Sequence, residues 1–143
     1  MGSELKVGDI MTKKVIVVPS GESLFEAARL MAKHEIGSVI IVDSVKGKKA
    51  KGIITERDIV HKVLAKKKDP YTTKVDEVMT TPLRVVKPET TLEDAAHAMR
   101  ENRIKRLPVV NDSSELIGIM SESDIMKIFP AVVDLIEERA TLV

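Results

Sequence analysis

Two short segments hold residue types suited to binding a sugar or a phosphate: Gly52-Ile53-Ile54-Thr55-Glu56-Arg57-Asp58 and Gly118-Ile119-Met120-Ser121-Glu122-Ser123-Asp124. Each reads as the end of a strand running into the start of a helix. A helix N-terminus presents free backbone N–H groups and partial positive charge. The hydroxyl of Thr55 or Ser121 can add a hydrogen bond to a sugar or phosphate oxygen. A carboxylate in the first turn repels phosphate, so Asp58 and Asp124 suit a vicinal diol, which offers two O–H donors. Carboxylate for a ribose, with N–H and hydroxyl for the rest, is the chemistry of a nucleoside or nucleotide site. The competing reading is a capping box, in which Thr55 caps the helix and Asp58 answers back; Asp is a shorter arm there than the usual Glu or Gln.

Phosphate also needs cations. Arg103, Lys105 and Arg106 stand at the entrance to an apolar strand in the second half of the chain. The ordinary fate of such a cluster is a solvated basic edge. Against that, cations packed this closely beside a buried strand repel one another, and an anion relieves the repulsion. The equivalent positions in the first half are Glu35, Gly37 and Ser38, so two clefts built on this plan should differ.

The elements that must position these groups are duplicated. Val7–Asp43 aligns without a gap on Val75–Asn111, and Gly52–Asp58 returns as Gly118–Asp124 after one turn is shortened. A repeat of this length means two copies of one supersecondary unit packed together to bury their apolar faces. Each copy opens on a short helical lead-in (Lys6–Met11 in the first), then a β run (Val15–Val18). An amphipathic helix follows, with Leu24, Ala27, Ala28 and Met31 on one stripe. Ser23 with Glu26 reads as a capping box, and Thr91 with Asp94 as a shorter-armed one. The paired alanines predict close approach of the two copies' helices about a pseudo-two-fold axis.

Val39–Val42 and Leu107–Val110 are unbroken apolar runs suited to buried strands. Pro108 removes a ladder donor and so places its strand at an edge, or begins it near one. A third strand (Lys51–Ile54, Leu116–Met120) leads into the second helix, starting near Thr55 or Ser121. The expected organisation is a first repeat over 7–66, a linker over 67–74, a second repeat over 75–129 and a C-terminal helix over 130–143.

Composition narrows the classes. In 143 residues, 43% are hydrophobic, with no Trp, one Tyr and two Phe, so the core is aliphatic. Lys and Arg total 23 against 22 Asp and Glu, a net charge of +1 that draws in neither nucleic acid nor a membrane surface. Cysteine is absent, which removes disulfides and thiolate metal sites. No apolar run approaches the roughly 18 residues of a membrane span, and no signal-peptide core opens the chain. There is no Gly-x-Gly-x-x-Gly, P-loop or His-Glu-x-x-His. His34, His61 and His97 read as surface residues. Neither a catalytic residue nor a metal site is expected.

Two β-α-β-β-α copies, with Ile10-Met11-Thr12 or Val78-Met79-Thr80 at the front and Gly-h-h-Thr/Ser-x-x-Asp at the end, resemble a tandem pair of CBS domains (a Bateman module) over 7–129. The resemblance implies an α/β (α+β) fold of two repeats about a pseudo-two-fold axis, with two clefts between them. It implies that one copy's Thr/Ser and Asp hold ribose and phosphate, that an apolar residue after the Gly meets adenine, and that basic residues of the other copy meet phosphates. Carried over, the first site is Ile53, Thr55 and Asp58 with Arg103, Lys105, Arg106 and Pro108. The stretch Arg103–Pro108 is also similar to a phosphate-binding stretch in the regulatory subunit of AMP-activated protein kinase. The second site is Ile119 or Met120 with Ser121 and Asp124, facing His34 to Ser38, chiefly Gly37 and Ser38. With no cation there, an uncharged adenosine moiety or no ligand is as well suited to it as a nucleotide.

The expected function is that of a stand-alone, energy-sensing regulatory module. It binds an adenine nucleotide, AMP or ADP, without any other cofactor. It is expected to be a cytoplasmic homodimer, neither enzyme nor membrane protein, signalling to an unidentified regulated partner. The rivals are an assembly module with vestigial clefts, or a binder of S-adenosylmethionine or single-stranded nucleic acid. Nucleic acid is disfavoured by neutral charge and scarce aromatics.

Overall fold

A computed structural model describes residues 5–128; the C-terminal helix expected over 130–143 lies outside them, as does the last residue of the expected second repeat. The first copy contributes α1 (Val7–Ile10), β1 (Val17–Pro19), α2 (Leu24–His34), β2 (Ser38–Val42), β3 (Ala50–Thr55) and α3 (Glu56–Asp58). The helix begun by α3 continues in π-helical geometry over Ile59–Leu64. The second copy contributes α4 (Val75–Val78), α5 (Leu92–Asn102), β4 (Arg106–Val110), β5 (Leu116–Ser121) and α6 (Glu122–Met126).

In the first copy β1 pairs parallel with β2, and β2 antiparallel with β3. All five residues of β2 are buried, as an unbroken β-branched run requires. The second copy keeps the β4–β5 pair, but the counterpart of β1 shrinks to a single bridge between Val86 and Val109. Pro108 accounts for this. In the first copy Ile40 N–H, at the equivalent position, donates to Ile16 C=O at 3.4 Å. Pro108 has no N–H to donate, so β4 is an edge strand beyond Val86, as its proline predicts.

The lead-in helices are exchanged. Val7 N–H and Gly8 N–H of α1 donate to Thr90 and Pro88 carbonyls of the second copy, and Thr12 bridges Ile119. Reciprocally, Val75 N–H donates to Glu22 C=O and Thr80 bridges Ile53. Val7 is therefore buried with Ala95, Met99, Leu107 and Met120, while Val75 and Val78 are buried with Leu24, Met31, Ile41 and Ile54. Each fully buried side chain of this size stabilises the fold by about 1.5–3 kcal/mol, so each half's core depends materially on the other.

The alanine stripes do not bring α2 and α5 together. Ala27 and Ala95 are buried in separate clusters, each with its own copy's strands and the other copy's lead-in. The halves meet instead through a third cluster of Ile40, Val42 and Leu116, with Ile53 and Ile119 against it. Their hairpin turns join too, where Leu116 N–H donates to Lys48 C=O at 2.8 Å. The contact between the halves is thus made by sheet residues, while Ala28 stays half-buried and Ala96 exposed. Among the described residues no helix is long and apolar enough to cross a membrane.

Candidate functional site

The motif glycines set the strand-to-helix junctions close against the exchanged lead-ins. A Cβ on Gly52 would lie 2.7 Å from Met79 Sδ and 2.9 Å from Thr80 O; on Gly118 it would lie 2.7 Å from Met11 Sδ and 3.1 Å from Thr12 O. Both glycines serve close approach, without a positive φ. Downstream, β3 and β5 alternate, so Ile54 and Met120 point into the core while Ile53 and Ile119 stay half-buried.

The capping reading of the motif is realised in full in both copies. Asp58 Oδ2 accepts from Thr55 N–H at 2.9 Å and from its hydroxyl at 3.1 Å, and Thr55 Oγ1 accepts from Asp58 N–H at 3.2 Å. Ser121 and Asp124 repeat this at 2.9, 3.1 and 3.3 Å. The short arm of Asp is no handicap here. By contrast, Ser23 and Thr91 accept from the N–H of Glu26 and Asp94 without the reciprocal bond that the sequence pattern led us to expect.

The chain before β2 and β4 closes each junction, with Gly37 C=O accepting from Glu56 N–H and Lys105 C=O from Glu122 N–H, both at 3.0 Å. To reach these positions the chain leaves α2 and α5 through left-handed residues, Glu35 (φ 53°) and Arg103 (φ 52°). The turn that presents Arg103, Lys105 and Arg106 is therefore part of the shared frame. Only the side chains on it differ.

Six of the seven residues expected at the first site line one cavity of about 790 Å³: Ile53, Thr55, Asp58, Arg103, Lys105 and Arg106. Arg106 reaches over to the first copy, where a Cβ on Gly37 would lie 2.9 Å from its Nη2. Pro108 is not in the lining; it is buried in β4, paired with Ile119. The cavity also takes in residues that sequence reasoning missed, chiefly Arg57, Arg84, Glu56 and Thr80. Arg84 could have been found by comparing copies, since its counterpart is Ile16, and Arg57 stands where the second copy has Ser123.

Five cations thus border this cavity: Arg57, Arg84, Arg103, Lys105 and Arg106. Among the described residues, none of the five is in an ion pair. A smaller cavity of about 430 Å³ shares Arg103, Ile104 and Lys105 but lies against α5 and α6, away from Thr55 and Asp58.

The second junction is arranged differently. Thr12 donates its hydroxyl to Asp124 Oδ1 at 3.1 Å, the oxygen that the cap does not use. Ile119 is half-buried beside it, bridged to Thr12. Met120 is fully buried among Val7, Met99 and Leu107, so of the two apolar candidates only Ile119 can face a ligand. Gly37 lines the first cavity, under Arg106. Ser38 is buried in β2 opposite Thr55. The structure keeps Ser121, Asp124 and Ile119 together and draws Gly37 and Met120 elsewhere. No group of His, Asp or Glu among the described residues could hold a metal ion.

Residues 7–65 and 75–131 each match the CBS domain family. The chain belongs to that family, as a CBS domain pair. It is 38% identical over 119 residues to a CBS domain-containing protein of Bacillus subtilis, YhcV, covering 83% of this chain and 81% of the relative. A solved CBS domain pair, that of protein MJ0100 in complex with 5′-methylthioadenosine and S-adenosyl-L-methionine, superposes with a TM-score of 0.79. It is 34% identical, over 90% of this chain and 98% of that one. A hexameric CBS-CP12 protein from bloom-forming cyanobacteria superposes with a TM-score of 0.76 at 35% identity, over 87% of this chain and 67% of its own.

Proposed function

We propose that this CBS pair is a regulatory module that binds an adenine nucleotide, AMP or ADP, in the cavity formed by β3, α3 and the Arg103–Arg106 turn. The observation that carries this reading is the set of five unpaired cations around a cavity that also holds the Thr55–Asp58 junction. Cations that border one cavity outnumber its carboxylates, Glu56 and Asp58, and a phosphate would meet them through charge-assisted hydrogen bonds. In this reading Asp58 accepts from the ribose diol, Thr55 and the α3 N–H groups face the sugar-phosphate, and Ile53 lies against the base. Phosphate contacts from Arg106 and Lys105 tie the second copy to the first. The ligand can shift an open/closed balance between the copies only by binding one state better. That state is then passed to a regulated partner by a cytoplasmic homodimer.

A second reading takes S-adenosylmethionine or 5′-methylthioadenosine as the ligand, favoured by the complex of the MJ0100 pair. Thermal unfolding with adenosine, AMP, ADP, ATP and S-adenosylmethionine separates the two. A ligand at 100-fold over its Kd adds about 2.7 kcal/mol, on the order of 5–10 °C at this size. AMP or ADP giving the largest shift supports the proposal. S-adenosylmethionine alone giving a shift would replace it, and no shift with any of them leaves an assembly module.

A further inference from the structure

Lys62 stands outside the cavity lining yet touches two residues within it. Its ammonium lies 3.1 Å from Asp58 Oδ1, and it donates to Val78 C=O at 3.1 Å and to Thr80 Oγ1 at 3.4 Å. Asp58 Oδ2 is already filled by Thr55, so Lys62 is the partner of the oxygen left over. The second junction has the same carboxylate with a different partner. There the counterpart of Lys62 is Ile128, and Thr12, the counterpart of Thr80, donates directly to Asp124 Oδ1. Lys127 approaches that oxygen only to 4.0 Å, from a side chain 78% exposed. One carboxylate therefore has a cation in contact at 3.1 Å, the other a neutral hydroxyl in contact, with a lysine farther off at 4.0 Å.

We infer that Lys62 is the residue that makes the first cleft tolerant of an anionic ligand, by serving as the built-in counter-charge of Asp58. A sugar-binding carboxylate left uncompensated would repel phosphates bound at the neighbouring cations and cancel part of their attraction. Lys62 removes that repulsion from behind the cap, and Asp58 still has acceptor capacity, since a carboxylate offers about four lone-pair positions. Lys62 acts through Asp58 and is a positioning residue; it sets the preference for charged over uncharged adenosine ligands. Ile128 leaves the second junction without this device, so that cleft favours a ligand with no phosphate. This rests on the adenine-nucleotide reading of the first cavity.

The test is calorimetric titration of the whole chain with AMP and with adenosine, in wild type, Lys62→Met and Lys62→Arg. Removing one close charge in a half-buried site is expected to weaken AMP about tenfold. Adenosine is expected to change less than about twofold, and Lys62→Arg to restore AMP binding. An unchanged ratio of AMP to adenosine affinity in Lys62→Met, whether both weaken or neither does, overturns this inference alone. Wild type that binds neither compound overturns the nucleotide reading and this inference with it.

Discussion

The two strand-to-helix junctions of this protein share a backbone and a cap and differ in what surrounds the cap. Thr55–Asp58 and Ser121–Asp124 make the same three hydrogen bonds within 0.1 Å of each other. Around the first stand Arg106, Arg84, Arg57 and Lys62; the aligned positions of the other copy hold Ser38, Ile16, Ser123 and Ile128. Repetition thus marks what the fold needs, and its failure marks the cleft where the proposed anionic ligand would be met. The aspartates show why recurrence alone is a weak guide to function: both are buried caps, and the cap by itself accounts for both.

The largest effect that can break this contrast is on binding. Arg106→Ala is expected to weaken AMP by about 10- to 100-fold, the worth of a hydrogen bond to a charged group, and to leave adenosine nearly unchanged in the same titration. If AMP binds as in wild type, the cations of the first cavity are only a solvated edge.

Next come the glycines, which probe the shared frame. Gly52→Ala and Gly118→Ala each push a methyl group against a methionine side chain and a lead-in carbonyl. Each is expected to cost about 1–3 kcal/mol in urea unfolding, and similar losses would show that the frame is equally tight in both halves. A loss at one glycine alone would mean that the two lead-ins are not held alike.

The aspartates sharpen the comparison further. Asp58→Ala and Asp124→Ala should each lose about 1 kcal/mol of stability without ligand, the usual cost of a cap. Only Asp58→Ala should also lose the thermal shift given by AMP. Equal loss of that shift in both variants would place a nucleotide at the second junction as well.

The smallest expected effect lies at the junction of Ser20, Gly21, Lys51 and Asp76, whose counterpart in the other half is Gly8. The Ser20 hydroxyl, then Gly21 N–H, with Lys51 adding charge, hold the Asp76 carboxyl below its ordinary pKa against the opposing effect of burial. A carboxyl lowered on folding contributes stability that is complete above its unfolded pKa, about 4. That contribution is lost as pH falls through the folded value. Asp76→Asn should therefore flatten the fall in stability below about pH 4, followed by acid titration of the urea midpoint. An unchanged acid limb would assign that fall to other carboxylates.

Most of the frame was legible in the sequence because it rests on local patterns. Apolar periodicity marked α2 and α5, β-branched runs marked β2 and β4, and Gly-h-h-Thr/Ser-x-x-Asp marked both junctions. Pro108 also announced the missing ladder bond. What was not legible depends on distant parts of the chain. Nothing local in Val7 or Val75 says that each packs in the other copy, or that Ala27 and Ala95 are buried in separate clusters. Arg84 and Lys62 escaped for a simpler reason. They lie outside the motifs, although a comparison of both copies at every position shows each replaced by isoleucine.

The exchanged lead-ins also shape how the chain must reach its folded state. Val7 has to find the carbonyl of Thr90 before the second half's core can close, and Val75 has to reach Glu22 before the first half's core can. Neither half can therefore finish as an independent unit. The contacts that close them span much of the chain, which raises contact order and slows folding. One copy translated alone would carry an unfilled groove and a loose hook that fits it, the makings of a domain-swapped dimer. The tandem chain is the covalently joined form of that dimer, and joining lets its two halves carry different charges.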